Sequence, residues 1–465
     1  MNNGNNIKKT VTTHDLHDTP VTVIGAARSG VGVAKLLASM GARVFVSDSG
    51  DQARIKQYTA ELERFTIPFE TGIHSEQVFD AELIVISPGV PSDAPVVLEA
   101  QNRGIAVVSE LEVASWFCKV PIIAVTGTNG KTTTTTLIGR MLHDAGRLHI
   151  VAGNIGDAFS NHAAQLNSNS VAVVEVSSFQ LDHIDRFKPK VSVLLNITPD
   201  HLNRYGNSIE QYTASKERIF MNQDAEDVLI YNTDDEVVAK LIKKARSRTF
   251  GFSIRQTLNE GAYLEDGALI LNIGGKRQAL ITREEMMLPG LHNIANALAA
   301  ALAVTMFGVG IESLKQTLAT FRGVEHRLEF VREISGVSFV NDSKATNVES
   351  TWHALRSFNV PLVLMLGGRD KGNDYSRIDN LVKNNVRTIV AIGESAKKVE
   401  KHFSHIVPVV RAESMADAVQ VSLTHAENGD TVLLSPACAS FDWFDSYEHR
   451  GKVFKECVHR IAEKL

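Results

Sequence analysis

A glycine-rich loop carries the strongest chemical signal in this sequence. The run Gly127-Thr128-Asn129-Gly130-Lys131-Thr132 stands between an apolar stretch and a segment with helical spacing. Glycines let backbone N–H groups wrap around phosphate oxygens, and a helix N-terminus behind the loop adds positive potential. Lys131 would reach the β- and γ-phosphates of a nucleoside triphosphate, and the Thr132 hydroxyl would bind Mg²⁺. The strict pattern has glycine where this chain has Val125, so the prediction of an ATP site rests on the context of strand, loop and helix.

Acidic and basic side chains follow the next two apolar runs. Glu175 ends one of these runs, and Asp200 and His201 come shortly after the other. Because parallel strands of one sheet open on a common crevice at their carboxyl ends, we expect these side chains beside the phosphate loop. A carboxylate in that position can hold Mg²⁺. Lys216 lies on the helical segment that follows, and its position alone does not distinguish a site lysine from a surface lysine.

A second glycine loop lies near the N-terminus, between Gly25 and Gly30, and Asp48 ends the strand-like run that follows. The pattern is similar to a dinucleotide fingerprint, but its middle glycine is replaced by Ala27, which makes close approach of a pyrophosphate less favourable. Three interpretations stay open. The loop binds a nucleotide other than NAD, it binds NAD, or Gly30 and Gly32 serve only to pack a helix tightly against the sheet.

Three polar loops in the last third of the chain each follow an apolar run. They cover residues 341–347, 367–372 and 435–442, and His326-Arg327 precedes them. If the apolar runs are parallel strands, the three loops line one rim of the sheet. Their hydroxyl groups and cations suit an anionic substrate and nucleotide phosphates.

Strand and helix patterns alternate along the whole chain, which predicts parallel sheets covered by helices. Apolar runs typical of buried strands stand at residues 21–24, 43–46, 83–86 and 106–108, then at 122–125, 171–176, 191–196 and 228–231, and then at 337–340, 362–366, 388–392 and 431–434. Residues 262–278 have instead the spacing of a small β-meander. We therefore predict an α/β protein of three consecutive domains: a Rossmann-like domain (1–110), a central P-loop-type domain with the meander (111–324), and a second Rossmann-like domain (325–465).

The bulk composition excludes several classes of protein. A net charge of −5 over 465 residues argues against a nucleic-acid or polybasic membrane surface. The three cysteines, Cys118, Cys438 and Cys457, are too dispersed to predict a disulfide framework or a zinc site, and they indicate a reducing compartment. The first residues are polar and no apolar run is long enough to span a bilayer. We expect a cytoplasmic monomer with no nucleic-acid partner and no membrane insertion.

Taken together, these motifs resemble the Mur ligase family, ATP-dependent enzymes that form amide bonds in bacterial cell-wall synthesis. The resemblance covers nearly the whole chain and rests on residues 127–132, 175–178, 200–202, 215–216, 291–293, 325–327, 341–347, 367–372 and 435–451. The run Ser-Pro-Ala-Cys-Ala-Ser-Phe-Asp, followed by Glu448-His449-Arg450-Gly451, is similar to that of the members that join D-glutamate to UDP-N-acetylmuramoyl-L-alanine (UDP-MurNAc-L-Ala).

The resemblance implies a role for each matching residue. It implies that ATP is bound by Gly127, Thr128, Asn129, Gly130, Lys131, Thr132, Thr133, Asn293, Arg327 and Asp342. It implies that two Mg²⁺ ions are held by Thr132, Glu175, His201 and a carbamylated Lys216. The sugar nucleotide would contact Arg28, Ser29, Asp48, Gly89, Asn154 and Ser177, and D-glutamate would contact Thr346, Lys371 and Ser440. His201, Lys344 and Tyr447 would also bind substrate. The implied reaction passes through an acyl phosphate, with Lys131, His201 and Lys216 as its catalytic residues.

The chain departs from the family pattern at three positions. Thr132 stands where serine is frequent, and either hydroxyl binds Mg²⁺. Arg369 stands where aspartate is usual, and Tyr447 where phenylalanine often backs the amino acid. The last two substitutions bear on the amino-acid pocket and not on the reaction type.

Other functions remain open at this point. The first alternative is a sister ligase for another amino acid, or a folylpolyglutamate synthetase. The relative that adds diaminopimelate or lysine is expected to carry an Asp-Asn-Pro-Arg run, and this chain has no such run. A nucleotide-regulated binding protein would bind ATP without substrate-dependent phosphate release. A nicotinamide dehydrogenase is disfavoured by Ala27 and by the presence of Lys131.

Overall fold

Two units make up the chain, Met1–Phe321 and Arg322–Leu465. The computed structural model describes residues 16–463, apart from residues 51, 289, 359 and 371. The polar N-terminal tail and Lys371 of the predicted D-glutamate site therefore lie outside the described residues. The first unit holds two sheets and the second unit holds one. The domain boundaries that the sequence predicts after residues 110 and 324 stay predictions.

The first sheet has five parallel strands in the order β3-β2-β1-β4-β5. Its elements are β1 (Pro20–Ile24), α1 (Arg28–Ser39), β2 (Arg43–Asp48), α2 (Gln52–Arg64), β3 (Phe69–Thr71), β4 (Leu83–Ile86), α3 (Pro95–Asn102), β5 (Ala106–Ser109) and α4 (Glu110–Phe117). β4 is a continuous apolar run, and β1 is one apart from Thr22, because helices cover both faces of a parallel sheet. The strand order reverses between β1 and β4, and a crevice for ligands opens at such a reversal.

The second sheet has nine strands in the order β14-β13-β12-β11-β10-β9-β6-β8-β7. Its elements are β6 (Ile122–Thr126), α5 (Lys131–Asp144), β7 (His149–Gly153), β8 (Val171–Glu175), α6 (Ser178–Leu181), β9 (Val191–Leu194), α7 (Ile209–Glu217), β10 (Val228–Asn232), α8 (Glu236–Leu241), β11 (Arg248–Ser253), β12 (Gly261–Glu265), β13 (Ala268–Ile273), β14 (Lys276–Thr282), α9 (Leu291–Thr305) and α10 (Ile311–Thr320). The strands from β7 to β12 are parallel, and β12, β13 and β14 pair antiparallel. The predicted meander is thus confirmed, and it extends the central sheet.

Helix α9 packs against α5, the helix that follows the phosphate loop. Every residue from 296 to 304 is buried, and most of them are alanine. Small side chains let α9 approach α5 and the sheet closely, and both helices share one core cluster with β6 and β8. The phosphate loop therefore stands on a rigid base.

The second unit is a six-stranded sheet in the order β15-β16-β20-β17-β18-β19, and all its pairs are parallel except β15 with β16. Its elements are β15 (Glu329–Ile334), β16 (Val337–Asn341), α11 (Val348–Leu355), β17 (Leu362–Gly367), α12 (Asp379–Asn385), β18 (Val386–Ile392), α13 (Ala396–Phe403), β19 (Val409–Arg411), α14 (Met415–His425), β20 (Thr431–Leu434) and α15 (Tyr447–Ala462). Two core clusters, one on each face, cover the sheet. Within the described ranges, no helix has the length and apolar character needed to cross a bilayer.

Candidate active site

The phosphate loop joins the end of β6 to the start of α5, as the sequence predicts. Gly130 is the N-cap of α5 and has a φ of 83°, which favours glycine. A Cβ at this position would overlap Oδ1 of Asn296 on α9. No side chain of the described residues caps α5, so the N–H groups of its first turn are left for a ligand. This is the arrangement that binds phosphate in other α/β proteins.

The end of β9 holds the phosphate loop in shape. Asn196 accepts a hydrogen bond from the Asn129 N–H (2.8 Å) and donates to the Asn129 carbonyl oxygen (3.1 Å). The Thr128 hydroxyl donates to the carbonyl of Thr198 (3.1 Å) and accepts from its N–H (3.0 Å). The loop is therefore fixed by the neighbouring strand rather than by its own residues alone.

Lys131 folds back over the loop. Its Nζ donates to the carbonyl oxygens of Gly127 (2.9 Å) and Thr128 (2.8 Å). The ammonium group is thereby held where a triphosphate wrapped by the loop would place its negative oxygens. The sequence places Lys131 in the loop before the helical segment, whereas the structure begins α5 at Lys131, so this lysine stands in the first turn of the helix.

Glu175 ends β8 directly beside the phosphate loop, since β8 pairs with β6 and Glu175 is in register with Val125. The side chain is 1% exposed. Its Oε1 accepts a hydrogen bond from Asn154 Nδ2 (2.7 Å), and its Oε2 has no hydrogen-bond partner among the described residues. A buried carboxylate oxygen without a donor is costly unless a cation binds it, so Glu175 fits an Mg²⁺ ion.

The described part of the chain contains no group of three histidine, cysteine, aspartate or glutamate side chains that could hold a metal by themselves. Glu175 would therefore need hydroxyl, phosphate or modified ligands beside it. The candidates that the sequence names are Thr132, His201 and Lys216.

Lys216, on α7, is buried against the phosphate loop, and its side chain is 1% exposed. Its Nζ donates to the carbonyl of Gly127 (2.9 Å) and lies 4.7 Å from the centre of the Tyr212 ring. Burial, and after it the charge of Lys131, lower the pKa of Lys216 well below its usual range, although Asp200, Asp182 and Glu175 oppose this effect. The free amine, which can act as a nucleophile, is therefore easier to form at Lys216 than at an exposed lysine.

His201 lies in the loop after β9, with a φ of 50°. Its side chain is 57% exposed, and Nε2 lies 3.6 Å from Asp200 Oδ2. The ring also meets the edge of Phe179, with 5.3 Å between the ring centres. His201 is thus an oriented and accessible imidazole.

A cleft of about 630 Å³ opens at the strand reversal of the first sheet. Five of the residues predicted for the sugar nucleotide line it, namely Arg28, Ser29, Asp48, Gly89 and Asn154. His201, which is also predicted to bind substrate, is described above. Ser177 instead caps α6, where its Oγ donates to Gln180 Oε1 (2.9 Å) and accepts from the Gln180 N–H.

The glycine loop at the bottom of this cleft is held by Asp48. The carboxylate of Asp48 accepts from the N–H of Ala26 (2.6 Å) and from the N–H of Gly50 (2.7 Å). A Cβ on Gly30 would overlap the carbonyl oxygen of Gly25, so packing of α1 on the loop requires glycine there. Arg28 donates to the carbonyl of Gly156, which lies in the loop after β7.

The polar rim of the second unit is built as the sequence predicts. β16, β20 and β17 are neighbours, and the three polar loops leave their carboxyl ends. Asp342 is 5% exposed, and its Oδ2 accepts from the Ser435 hydroxyl (2.8 Å). Burial raises the pKa of Asp342 to about 7, against the opposing effect of Ser435, Arg327 and the Leu328 N–H.

Among the other predicted residues of this rim, Lys344 and Tyr447 are close, with Nζ 5.9 Å from the ring centre. Ser440 is 2% exposed, and Arg327 and Thr346 are more accessible. Arg369 pairs with Glu394 (2.9 Å) at the outer edge. The rim thus assembles the predicted residues that the structure describes, with Lys371 outside that set.

Two residues shape these sites although the sequence assigned no role to either of them. Asn296 lies against Gly130, and its spacing of three residues from Asn293 on α9 could have indicated a shared helix face. Arg450 is 1% exposed and donates to the Ser343 carbonyl (2.8 Å) and the Cys438 carbonyl (3.1 Å), thereby tying two rim loops together. Nothing in the local pattern around Arg450 predicts a buried guanidinium.

Comparison with known protein families matches almost the whole chain. The Mur ligase MurD-like N-terminal domain matches residues 19–109, the Mur ligase middle domain matches residues 125–304, and the Mur ligase glutamate ligase domain matches residues 326–438. The UDP-N-acetylmuramoylalanine--D-glutamate ligase of Chloroherpeton thalassium is 45% identical over 456 residues, which is 94% of this chain and 97% of that protein. The ligase of the same name from Salinibacter ruber is 44% identical over 97% of this chain and 100% of its own.

Solved structures share the fold at lower identity. UDP-N-acetylmuramate-alanine ligase MurC from Thermotoga maritima has a TM-score of 0.57 at 20% identity and covers 97% of this chain and 100% of its own. MurF from Acinetobacter baumannii has a TM-score of 0.57 at 17% identity, with 93% of each chain covered. The similarity to these structures supports the architecture described above.

Proposed function

The chain belongs to the Mur ligase family, and from this premise we propose that it joins D-glutamate to UDP-MurNAc-L-Ala while ATP is converted to ADP and phosphate. Mur ligases are ATP-dependent enzymes that use Mg²⁺. The observation that carries the proposal is the identity of 44–45% over nearly the full length to ligases of that name. The phosphate loop with Glu175 and Lys216 beside it supplies the matching chemistry.

The proposed reaction has two steps. In the first, the alanine carboxylate of the sugar nucleotide attacks the γ-phosphorus of ATP, an O–P bond forms, and the bond to the β-phosphate breaks as ADP leaves. In the second, the amine of D-glutamate attacks the acyl carbon, a C–N bond forms, phosphate leaves, and the amine loses a proton. Lys131 and the loop N–H groups stabilise the charge that grows on the phosphoryl oxygens. His201 is the candidate base for the amine proton, since it is accessible and oriented by Asp200.

Metal binding in this proposal uses Thr132, Glu175, His201 and Lys216, arranged for two ions. Bound Mg²⁺ neutralises negative charge on the phosphates. Glu175 contributes the buried oxygen that lacks a hydrogen-bond donor in the described structure.

Carbamylation of Lys216 belongs to the same proposal, and burial of the amine with its lowered pKa supports it. An uncharged amine attacks CO₂, an N–C bond forms, and a proton is released to solvent, which leaves a carbamate with two oxygen ligands. This converts a residue that cannot bind a cation into one that can. The buried position of Lys216 against the Gly127 carbonyl supports a carbamate beside the phosphate loop.

The remaining ligands are assigned by the family resemblance and by the position of the residues. We assign the cleft of the first sheet to the UDP part of the substrate, because five predicted residues line it. The other assignments are Asn154, Ser177 and His201 for the remainder of the sugar nucleotide, Gly127–Thr133, Asn293, Arg327 and Asp342 for ATP, and Lys344, Thr346, Lys371, Ser440 and Tyr447 for D-glutamate. A monomeric state is part of the same proposal.

The decisive test is phosphate release from ATP and Mg²⁺ with UDP-MurNAc-L-Ala and one amino acid at a time. We expect release with D-glutamate and none with L-glutamate, L-alanine, L-lysine or diaminopimelate. Omission of the sugar nucleotide is the matched control and should abolish release. Release that depends on another amino acid would contradict the proposed substrate but not the family.

A further inference from the structure

A chain of hydrogen bonds stands behind one wall of the nucleotide cleft and ends on His74. Ser47, in β2, is 0% exposed. Its Oγ lies 2.7 Å from Glu70 Oε1 and 2.7 Å from His74 Nδ1. Glu70 Oε1 also accepts from the Ser75 N–H (2.9 Å). His74 lines the cleft together with Asp48, and its Nε2 has no hydrogen-bond partner among the residues that the structure describes.

The position of the protons in this chain follows from its geometry. A carboxylate only accepts hydrogen bonds, and the Ser47 hydroxyl has a single proton to donate. If that proton pointed to His74, the oxygens of Ser47 and Glu70 would face each other at 2.7 Å with no proton between them. The hydroxyl therefore donates to Glu70 and accepts from Nδ1–H of His74. In the neutral imidazole, Nε2 is then left as an acceptor.

The acid–base properties of the two groups agree with this arrangement. Burial works to raise the pKa of Glu70, but hydrogen bonds from Ser75 and Ser47 bring it below its usual value, so the carboxylate is ionised. Burial lowers the pKa of His74, although the charges of Glu70 and Asp48 oppose it. The imidazole is neutral at physiological pH and carries one proton, on Nδ1.

The order of the strands indicates which part of a nucleotide reaches His74. β1, β2 and β3 are neighbours, and the cleft residues Ser29, Asp48 and His74 follow their carboxyl ends in that order. A diphosphate at the N-terminus of α1 would place the ribose beside Asp48. The next group outward, near β3, is the base.

We propose that Nε2 of His74 accepts a hydrogen bond from the N3–H of uracil, so that Glu70, Ser47 and His74 select a uracil nucleotide. Cytosine has a lone pair and no hydrogen at N3, so two acceptors would face each other. His74 is the specificity-determining residue, and Ser47 is a positioning residue that fixes its tautomer. The inference deepens the proposed function, since it rests on the sugar nucleotide binding in this cleft.

The test is titration calorimetry of the full-length chain with UDP, CDP and N3-methyl-UDP. The original chain should bind UDP about tenfold more tightly than the other two, as expected for one hydrogen bond and an avoided clash. His74→Ala should reduce the UDP-to-CDP ratio to about twofold or less, mainly through weaker UDP binding. Ser47→Ala should lower the ratio in the same direction, because Nδ1 loses its acceptor. His425→Ala, at the exposed end of α14, should leave the ratio unchanged.

Two results would overturn the inference while leaving the proposed function intact. The first is an unchanged UDP-to-CDP ratio in His74→Ala. The second is an affinity for UDP that N3 methylation leaves unchanged but that is lost in 2′- or 3′-deoxy-UDP, since this would place His74 on the ribose. Failure of the original chain to bind UDP at all would instead contradict the assignment of the cleft and the inference with it.

Discussion

Lys216 shows at the residue scale how burial changes the chemistry of a side chain. The sequence alone could not separate it from a surface lysine, since its helix has ordinary polar neighbours. In the structure it is buried against Gly127, and its lowered pKa makes the free amine available. In the proposed function, a residue type that normally repels metal ions thereby becomes the precursor of a metal ligand.

Replacement of Lys216 tests this chemistry. We expect Lys216→Ala to lower substrate-dependent phosphate release about a hundredfold, because one stabilising group of the phosphoryl-transfer site is lost. Short carboxylic acids such as formate or acetate should restore part of the activity, since they can occupy the place of the carbamate. The measurement is phosphate release with and without the added acid.

Lys240→Ala, an exposed lysine of α8, is the matched control and should change neither the rate nor the response to acid. If added acids gave Lys216→Ala no activity, a carbamate at this position would be ruled out as the active form. Loss of ¹³C-carbonate incorporation in the variant provides an independent readout.

Asp342 gives a second prediction at this scale, which concerns stability. Its pKa is raised to about 7 in the folded chain, whereas an unperturbed aspartate has a pKa of about 3.9. The folded state therefore binds more protons between these values, and the stabilising contribution is present at low pH and lost as the pH rises through about 7. Asp342→Asn removes this ionisation and should raise the unfolding temperature relative to the original chain at pH 8, with a smaller difference at pH 5.

Thermal unfolding monitored by circular dichroism at both pH values checks this expectation. The exposed Asp445→Asn serves as the control in the same unit and should show no such pH-dependent difference. A difference between Asp342→Asn and the original chain that grows towards low pH would contradict the assigned direction of the pKa.

The role of a residue could be predicted where it depends on the neighbouring sequence, and not where it depends on tertiary contacts. Lys131 and Glu175 could be placed from strand ends and loop spacing. The burial of Arg450, the tautomer of His74 and the capping role of Ser177 could not, because each depends on groups that only the folded chain brings together. The sequence ranks residue types by their chemistry, whereas tertiary contacts decide which of them is desolvated.

At the scale of elements, the sequence predicted the interior of each sheet better than its edges. Of the five strands that the apolar runs did not indicate, β3, β7, β15 and β19 are edge strands, and only β11 lies inside a sheet. Edge strands are short or polar because one side meets solvent, so they lack a continuous apolar run. β11 was missed because Gly251 interrupts its pattern.

The junction of β6, the phosphate loop and α5 is the element on which the proposed ATP site depends. We expect Gly130→Ala to weaken ATP binding about tenfold or more, because it strains a positive φ and forces a Cβ into Asn296. The measurement is the Kd for ATP by titration calorimetry.

Gly146→Ala is the matched control. Gly146 has a φ of 67°, follows the other end of α5, and has open space where a Cβ would stand. Both substitutions strain a positive φ, but only Gly130→Ala also forces a Cβ into Asn296. Only Gly130→Ala should therefore change the affinity for ATP. Equal effects of the two substitutions would mean that general destabilisation, and not the loop, controls ATP binding.

At the scale of the whole molecule, the fold class was predictable because alternation of strands and helices runs through the entire chain. The division into two units could not be predicted from this alternation. Each of the first two sheets has its own run of strands, yet both sheets belong to one unit. Glu112 illustrates the reason. It lies in α4, after the first sheet, yet its carboxylate accepts from the N–H groups of Asp185 (3.0 Å) and Phe187 (2.8 Å), which lie between α6 and β9.

Ligand binding should therefore stabilise the first unit selectively. UDP-MurNAc-L-Ala at one hundred times its Kd should add about 2.7 kcal/mol by mass action. Hydrogen exchange should slow around residues 25–29, 48–50, 87–91 and 153–154, which line the cleft. D-Glutamate alone is the control and should not protect these segments. Protection confined to residues 322–463 would refute the assignment of the cleft.

Asn154 has a consequence for the order in which ligands bind. Its N–H donates to the Glu175 carbonyl (2.9 Å), its Nδ2 donates to Glu175 Oε1 (2.7 Å), and it lines the nucleotide cleft. One side chain thus bears on both the sugar nucleotide and the carboxylate proposed for Mg²⁺. Thermodynamic reciprocity then requires that any factor by which the nucleotide changes Mg²⁺ affinity equals the factor by which Mg²⁺ changes nucleotide affinity. We therefore expect the two proposed sites to bind their ligands cooperatively, with Asn154 as the residue that connects them.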